Sequence, residues 1–252
     1  MKIAFERSRL PVLADCDAVV VGGGFGGVAA ALTLADAGRS VVLIESRTYL
    51  GREVASTLRP WILVPGEGGV SSLPRLIKTC IQSGETKAQH GEIPLHMDAV
   101  KRALEDEVLG AGIKLIYASL PIGVVVEGGR IRGVIIGNKS GRQVIKAEVA
   151  IDATATALVA QLAGAEFEPP GDTATFSATL EFTGVASQGP GILGETELEV
   201  PGRLGITGDK VILHRGYRGP DHVLPAYQME LPTGGRDPLA VARRDAQARR
   251  KT

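Results

Sequence analysis

The chain has little cysteine. Cys16 and Cys80 stand far apart in 252 residues and form no C-x-x-C, which argues against a disulfide framework or a redox dithiol. Metal-ligand spacing is missing too. His90, His96, His214 and His222 are scattered, so each reads as a surface or core histidine, and His96, just ahead of a helical segment, also stands where it could line a site. There is no G-x-S-x-G nucleophile elbow, and no lysine follows the first glycine cluster as a phosphate-binding loop for ATP requires. Charge of one sign is absent: 28 basic residues balance 28 acidic ones, which removes the electrostatic case for nucleic acid or an anionic membrane. No apolar run reaches the length of a membrane span, and the opening MKIAFERSRLPVLAD has no signal-peptide core. The expected compartment is the cytoplasm. Aromatic residues make up only 4%, against 33 glycines and 44% apolar residues, so a full core is attainable and small residues dominate, as expected where loops must approach a ligand closely.

What is present is concentrated between Asp17 and Arg47. Asp17 to Val21 is a β-branched run suited to a strand buried on both faces. Gly22, Gly24 and Gly27 then form G-x-G-x-x-G: a tight turn, a close backbone approach for a pyrophosphate, and close helix–strand packing. A small-residue helix over Ala29 to Ala35 stops at Gly38, and its free N–H groups favour a phosphate over the glycines. Val41 to Ile44 is the second strand. Glu45 at its end is suited to accept from the two ribose hydroxyls of an adenosine. Strand, turn, helix, second strand and acid together point to a dinucleotide.

Residues 1–15 read as a lead-in, either an edge strand or a flexible arm. After Glu45 the loop through Trp61 can fold back over a bound dinucleotide, with Arg52 towards a phosphate and the backbone at Gly51 and Glu53 towards a ring system; it reads equally as a solvated loop with a helix start. A breaker cluster follows at 64–69, a helix between Leu73 and Ile81, a polar loop over 83–91, an amphipathic helix from Asp98 to Leu109 and a third parallel strand over Ile113 to Tyr117. The period then changes. Three extended runs, Ile122 to Glu127, Arg130 to Ile136 and Gln143 to Val149, form an antiparallel meander between parallel strands. Val149 to Thr154 returns as a strand, and Ala155 to Ala163 reads as a helix.

The fold class is therefore α/β: a Rossmann-like parallel sheet with an inserted antiparallel meander over 1–165, then a partial antiparallel substrate or cap domain over 166–252. Its expected strands are Thr175 to Thr183, Val211 to Arg215 and Val223 to Leu231, separated by a Gly/Pro-rich loop. A second G-x-G-x-x-G, at Gly189, Gly191 and Gly194, follows no strand and opens no helix, so it reads as loop. Pro238 to Lys251 begins a helix that has no cap, and its arginines read as a solvated face.

With these residues in place, VVVGGGFGGVAAALTLADAGRSVVLIE, YLGREVASTLRPW, LHMDAVKRALEDEVLGAGIKLIYASLPIGVV and VIKAEVAIDATATALVAQLAGAEF resemble, in that order, the FAD-dependent oxidoreductases of the glutathione-reductase-like fold, over about residues 15–167. The resemblance implies FAD, with its pyrophosphate over Gly22, Gly24 and Phe25 along the stretch completed by Gly26 and Gly27, and its ribose on Glu45. It implies Ser46 and Arg47 on the adenine side, the backbone at Ile122 at the adenine edge, Gly51, Arg52 and Glu53 along the pyrophosphate and flavin, and Asp152, Ala153 and Thr154 close to the cofactor where the meander rejoins the sheet. It also implies hydride transfer from a small-molecule substrate to flavin N5. Ala155 and Thr156 depart from the family's glycine and acid, and the late segment that closes over the flavin is not found before Thr252. The expectation is a C-terminally truncated chain, or one completed by a partner chain. No catalytic acid or base is recognisable; Arg59 and His96 are the first to mutate. The rival readings are an NAD-binding protein of the thiazole-synthase type and a non-catalytic dinucleotide-binding fragment.

Overall fold

The computed structural model describes residues 9–63, 73–81, 92–168, 171–184, 194–197, 210–216, 218–219 and 221–233. The breaker cluster at 64–69, the loop at 83–91, Gly189, Gly191 and the segment 238–251 lie outside the described residues. The chain divides into two compact units, Met1–Glu53 with Asp98–Glu166, and Val54–Met97 with Phe167–Thr252. A boundary near 165 is thus one of three crossings, and 54–97 group with the later part of the chain.

The first unit is built on a six-stranded sheet in the order β5-β2-β1-β8-β7-β6. Strands β1 (Val12–Val21), β2 (Val41–Ile44), β5 (Lys114–Ile116) and β8 (Gly141–Asp152) run parallel. β6 (Leu120–Glu127), β7 (Arg130–Asn138) and β8 form the antiparallel meander. The sequence reading divided β8 into two strands; the structure makes it one, which closes the meander with its first half and pairs with β1 along its length. That pairing also decides the lead-in. Of its two readings, edge strand or arm, residues 12–15 take the strand: they are the first part of β1, half-exposed because β2 joins the ladder only at Ala18.

From Ala18 onward everything in β1 is buried, as are all four residues of β2, so continuous Val/Ile/Leu runs are what these positions require. Each such side chain contributes about 1.5–3 kcal/mol on leaving water. α1 (Phe25–Asp36) buries Gly27, Val28 and Ala31, and α4 (Met97–Gly110) buries Val100, Leu104 and Val108, the 3.6-residue stripe its sequence shows. α5 (Leu158–Leu162) is a short helix after β8.

The start of the β1–β2 ladder is fixed by Asp17 and Ser40. Ser40 donates its N–H and hydroxyl to Asp17 Oδ2, both at 2.7 Å, and its hydroxyl accepts from the Asp17 N–H at 2.8 Å. These hydrogen bonds, with the nearby charge of Arg39, hold the Asp17 carboxyl below its ordinary value.

The second unit holds an antiparallel sheet in the order β10-β11-β12-β9, from β9 (Thr173–Thr179), β10 (Gly194–Glu197), β11 (Lys210–Arg215) and β12 (Val223–Pro232). The sequence predicts loop for the stretch that includes Gly194; in the structure Gly194–Glu197 is the strand β10. Backbone pairing with β11 suffices for an edge strand without an apolar run. A two-stranded ladder of β3 (Trp61–Leu63) and β4 (Glu92–Pro94), also unforeseen, packs Ile62 and Ile93 with Leu73, Ile77 and Ile81 around α3 (Arg75–Thr79). No helix among the described residues is long and apolar enough to cross a membrane.

Two predictions test this framework. A Cβ at Gly27 would collide with the Gly22 carbonyl oxygen, whereas one at Gly26 meets nothing within 4 Å. Gly27→Ala is expected to cost about 3 kcal/mol, because a backbone carbonyl cannot step aside. Gly26→Ala should be neutral or stabilise α1 by about 1 kcal/mol, both read by urea unfolding. The second concerns pH. A carboxyl with a depressed folded value contributes stability above its unfolded value and loses it as pH falls through the folded one. Ser40→Ala should therefore raise the Asp17 titration in NMR and flatten the loss of stability in acid.

Candidate functional site

β1 delivers the chain to Gly22, whose φ of 110° suits glycine alone and whose N–H donates to the Ile44 carbonyl at 2.8 Å. A side chain there would strike the backbone of Ala153, which itself donates to the Val21 carbonyl at 2.8 Å. Gly27 is closed by Gly22 on one side and by the Ala153 methyl, 3.1 Å from a built Cβ, on the other. The first and third glycines of the motif therefore serve packing between β1, β8 and α1. Gly23 packs on the buried Leu50, and its carbonyl accepts from the Gly51 N–H at 2.9 Å. Gly51, at φ 74°, has no space for a Cβ beside Val100 and Leu104 of α4. The loop after Glu45 is thus fastened beneath the glycine turn.

Glu45 is 2% exposed. Its Oε2 accepts from the Gly23 N–H at 2.6 Å, and its Oε1 from the Arg47 N–H at 2.8 Å and the Ser46 hydroxyl at 3.0 Å. The Arg47 guanidinium stands 3.7 Å from the same oxygen. Sequence reasoning gave this acid to a ligand and missed its structural work. It ties the glycine turn to the end of β2, leaving one acceptor position of Oε2 unfilled by these bonds.

Phe25 opens α1, and its N–H donates to Glu53 Oε2 at 3.3 Å. Arg52 and Glu53 begin α2 (Arg52–Ala55), with Arg52 Nε 3.8 Å from Glu53 Oε1. Ala153 lies at the turn, as described. Thr154 is held by Asp152, whose Oδ1 accepts from the Thr154 N–H at 3.0 Å and hydroxyl at 2.6 Å while Oδ2 accepts from the Ala160 N–H at 2.9 Å. Thr154 Oγ1 in turn accepts from the Leu158 N–H at 2.8 Å. The resemblance places Asp152 with Ala153 and Thr154 near the cofactor; in the structure its carboxylate holds the loop after β8. Ala155, the departure from glycine, is exposed, and the left-handed residue here is Ala157, at φ 50°.

Ile122 lies on β6, 43% exposed, beside Gly137. β6 is tied to the end of β2 through Ser119, whose N–H donates to the Glu45 carbonyl at 3.1 Å, and through Ala118, whose N–H donates to the Arg47 carbonyl at 3.0 Å. Nearby, burial and the Glu105 carboxylate, 2.6 Å from its hydroxyl, push the Tyr117 phenol well above its ordinary value.

The remaining candidates belong to the second unit. Arg59 stands over the Trp61 ring at 5.7 Å; Trp61 stacks on His214 at 3.6 Å; His214 Nδ1 meets Glu92 Oε2 at 2.8 Å. His222 accepts from the Arg218 N–H through Nδ1 at 3.1 Å, which puts its proton on Nε2, 3.0 Å from Glu181. Both rings are buried, in keeping with core histidines. His96 is half-buried just after β4, and His90 lies outside the described residues. No group of three or more potential metal ligands occurs among the described residues.

These features fit a dinucleotide. α1 presents the positive end of its dipole, behind a glycine N-cap and with the Phe25 N–H on Glu53, at the carboxyl end of the parallel strands and with a buried acid at the end of β2. In the same turn, the atoms nearest a Cβ at Gly24 are those of the Glu53 carboxylate, and Gly26 faces open space. The clamp predicts that Glu45→Ala leaves the buried Gly23 N–H and the part-buried Arg47 N–H without their acceptor. Urea unfolding should show a loss of about 3 kcal/mol, with Glu45→Gln losing less.

Comparison with known proteins follows this geometry. A stretch of 51 residues, 20% of the chain, is 49% identical to all-trans-retinol 13,14-reductase of Macaca fascicularis and spans 8% of that protein. The structure is similar to a geranylgeranyl bacteriochlorophyll reductase-like protein of Thermoplasma acidophilum, with a TM-score of 0.56 and 18% identity over 86% of this chain and 57% of that one. It is also similar to an anhydrotetracycline hydroxylase of Streptomyces rimosus, with a TM-score of 0.51 and 14% identity over 85% of this chain and 45% of that one. At such identities the structural likeness is one of fold, and the chain spans about half the length of these two proteins. The family model described as FAD dependent oxidoreductase matches residues 17–188, more than half of the chain. The chain belongs to the FAD-dependent oxidoreductase family.

Proposed function

We propose that this chain binds FAD through the turn from Gly22 to Gly27 and serves as the cofactor-holding part of an oxidoreductase acting on a small-molecule substrate. The observation that carries the reading is the division of labour within the turn. Gly22 and Gly27 are packed backbone to backbone, which holds the α1 N-terminus at the ends of β1 and β8, while the atoms nearest a Cβ at Gly24 belong to the Glu53 carboxylate and Gly26 faces open space. A pyrophosphate placed over Gly24 and Phe25 would receive the N–H groups and the positive end of the α1 dipole. Glu45 would hold Gly23 in place and offer its remaining acceptor position to a ribose hydroxyl. Ser46 and Arg47, fixed by the same carboxylate, would flank the adenine side, with Ile122 further along β6. Ala153 and Thr154, locked by Asp152, would form the rigid wall beside the turn.

The chemistry FAD supplies when bound is acceptance of a hydride at N5, with reoxidation by oxygen or another acceptor. The chain's residues bind and orient it. Family membership supports this reading over an NAD-binding protein of the thiazole-synthase type.

Purified protein should carry or take up FAD, with saturable quenching of flavin fluorescence. Gly24→Val, which puts a branched side chain where the pyrophosphate would lie, should weaken FAD binding at least 100-fold while the fold, followed by circular dichroism, persists. Equal binding by Gly24→Val would overturn the assignment.

A further inference from the structure

The first turn of α1 contains no acidic residue, and its N-cap, Gly24, has no side chain to offer. Its leading N–H is nevertheless occupied. Glu53, 28 residues beyond Phe25, brings Oε2 to 3.3 Å from the Phe25 nitrogen. The same carboxylate covers Gly24. A Cβ built there would lie 2.9 Å from Glu53 Cδ and 3.0 Å from Oε2, and would collide with Oε1. This is where the proposed function puts the pyrophosphate. Two anions cannot share one helix N-terminus, since each repels the other and both compete for the same N–H groups.

Glu53 differs from the fixed acids around it. Its side chain is 42% exposed, against 3% for Glu45, so rotation into solvent costs it little desolvation. Arg52, with Nε 3.8 Å from Glu53 Oε1, offers a counter-charge that does not depend on the helix. The sequence reading placed Glu53 beside the cofactor as a backbone contact; its side chain lies against the phosphate position itself.

We propose that Glu53 is an internal competitor of the cofactor: its carboxylate caps α1 and must leave Gly24 and Phe25 before a dinucleotide pyrophosphate can bind. The inference rests on the dinucleotide reading of the turn. Glu53 therefore sets the affinity and the rate of loading, and keeps the helix end satisfied until the cofactor arrives. The trade is one carboxylate–amide interaction for several phosphate–amide interactions.

The test compares wild type, Glu53→Gln and Glu53→Ala, titrated with FAD by fluorescence quenching at low salt and at 1 M NaCl, with the melting temperature of each cofactor-free protein. Both variants should bind FAD about tenfold more tightly at low salt and load faster. The difference should shrink at 1 M NaCl, where charges are screened beyond about 3 Å. The melting temperature of the empty variants should fall slightly, because α1 loses its cap. FAD binding unchanged or weakened in both variants, while wild type binds and Gly24→Val does not, overturns the competitor and leaves the dinucleotide site standing. Equal binding by wild type and Gly24→Val overturns the site and the competitor together. Binding that appears only once Glu53 is replaced supports both.

Discussion

The backbone contact between Gly22, Gly27 and Ala153 is the constraint on which the first unit depends. A helix can begin this close to the ends of β1 and β8 only if neither residue at the contact carries a side chain on that side. Because it does begin there, the positive end of α1 meets the carboxyl ends of the parallel strands, where α/β folds bind their ligands. One methyl group at Gly27 would push this helix off the sheet. Glycine here is a packing residue first, and its value to a ligand follows from the packing.

Glu45 extends the same constraint sideways. Its buried carboxylate gathers Gly23, Ser46 and Arg47, and its backbone binds Ile116 and Ser119, so β2, the glycine turn and the entry to β6 are held at one point. A charge this deeply buried is tolerated because backbone and side-chain donors meet it. Asp152 does the same for Thr154 and α5. The rim of the candidate site is thus fixed by two acids facing inward, while Glu53, the third, remains half in solvent over the helix end.

In the second unit polar pairs are again inside. His214 with Glu92 joins β11 to β4, and the stacking of His214 on Trp61 joins it to β3. His222 with Glu181 fixes the turn before β12. β3 and β4 have three residues each, and the hydrogen-bonded, stacked imidazole of His214 gives them direction as well as burial.

The strand–turn–helix–strand–acid unit was readable from Asp17 to Glu45 because its signals are local: β-branched runs, glycines at fixed offsets, small helix formers and a closing acid. The meander turns and the α4 stripe were readable for the same reason. What the sequence by itself determined is therefore the order of elements and the dinucleotide-type motif, since propensity and period act over neighbouring residues. Only the tertiary structure decided that residues 12–15 belong to β1, that one strand serves both meander and parallel sheet, and that β3, β4 and β10 pair at all, because each depends on backbone partners distant in sequence. It also decided what each acid does. Glu45, Glu53 and Asp152 are indistinguishable as carboxylates on the page, and become a clamp, a helix plug and a loop anchor only when folding sets the donors within 2.6–3.3 Å of their oxygens.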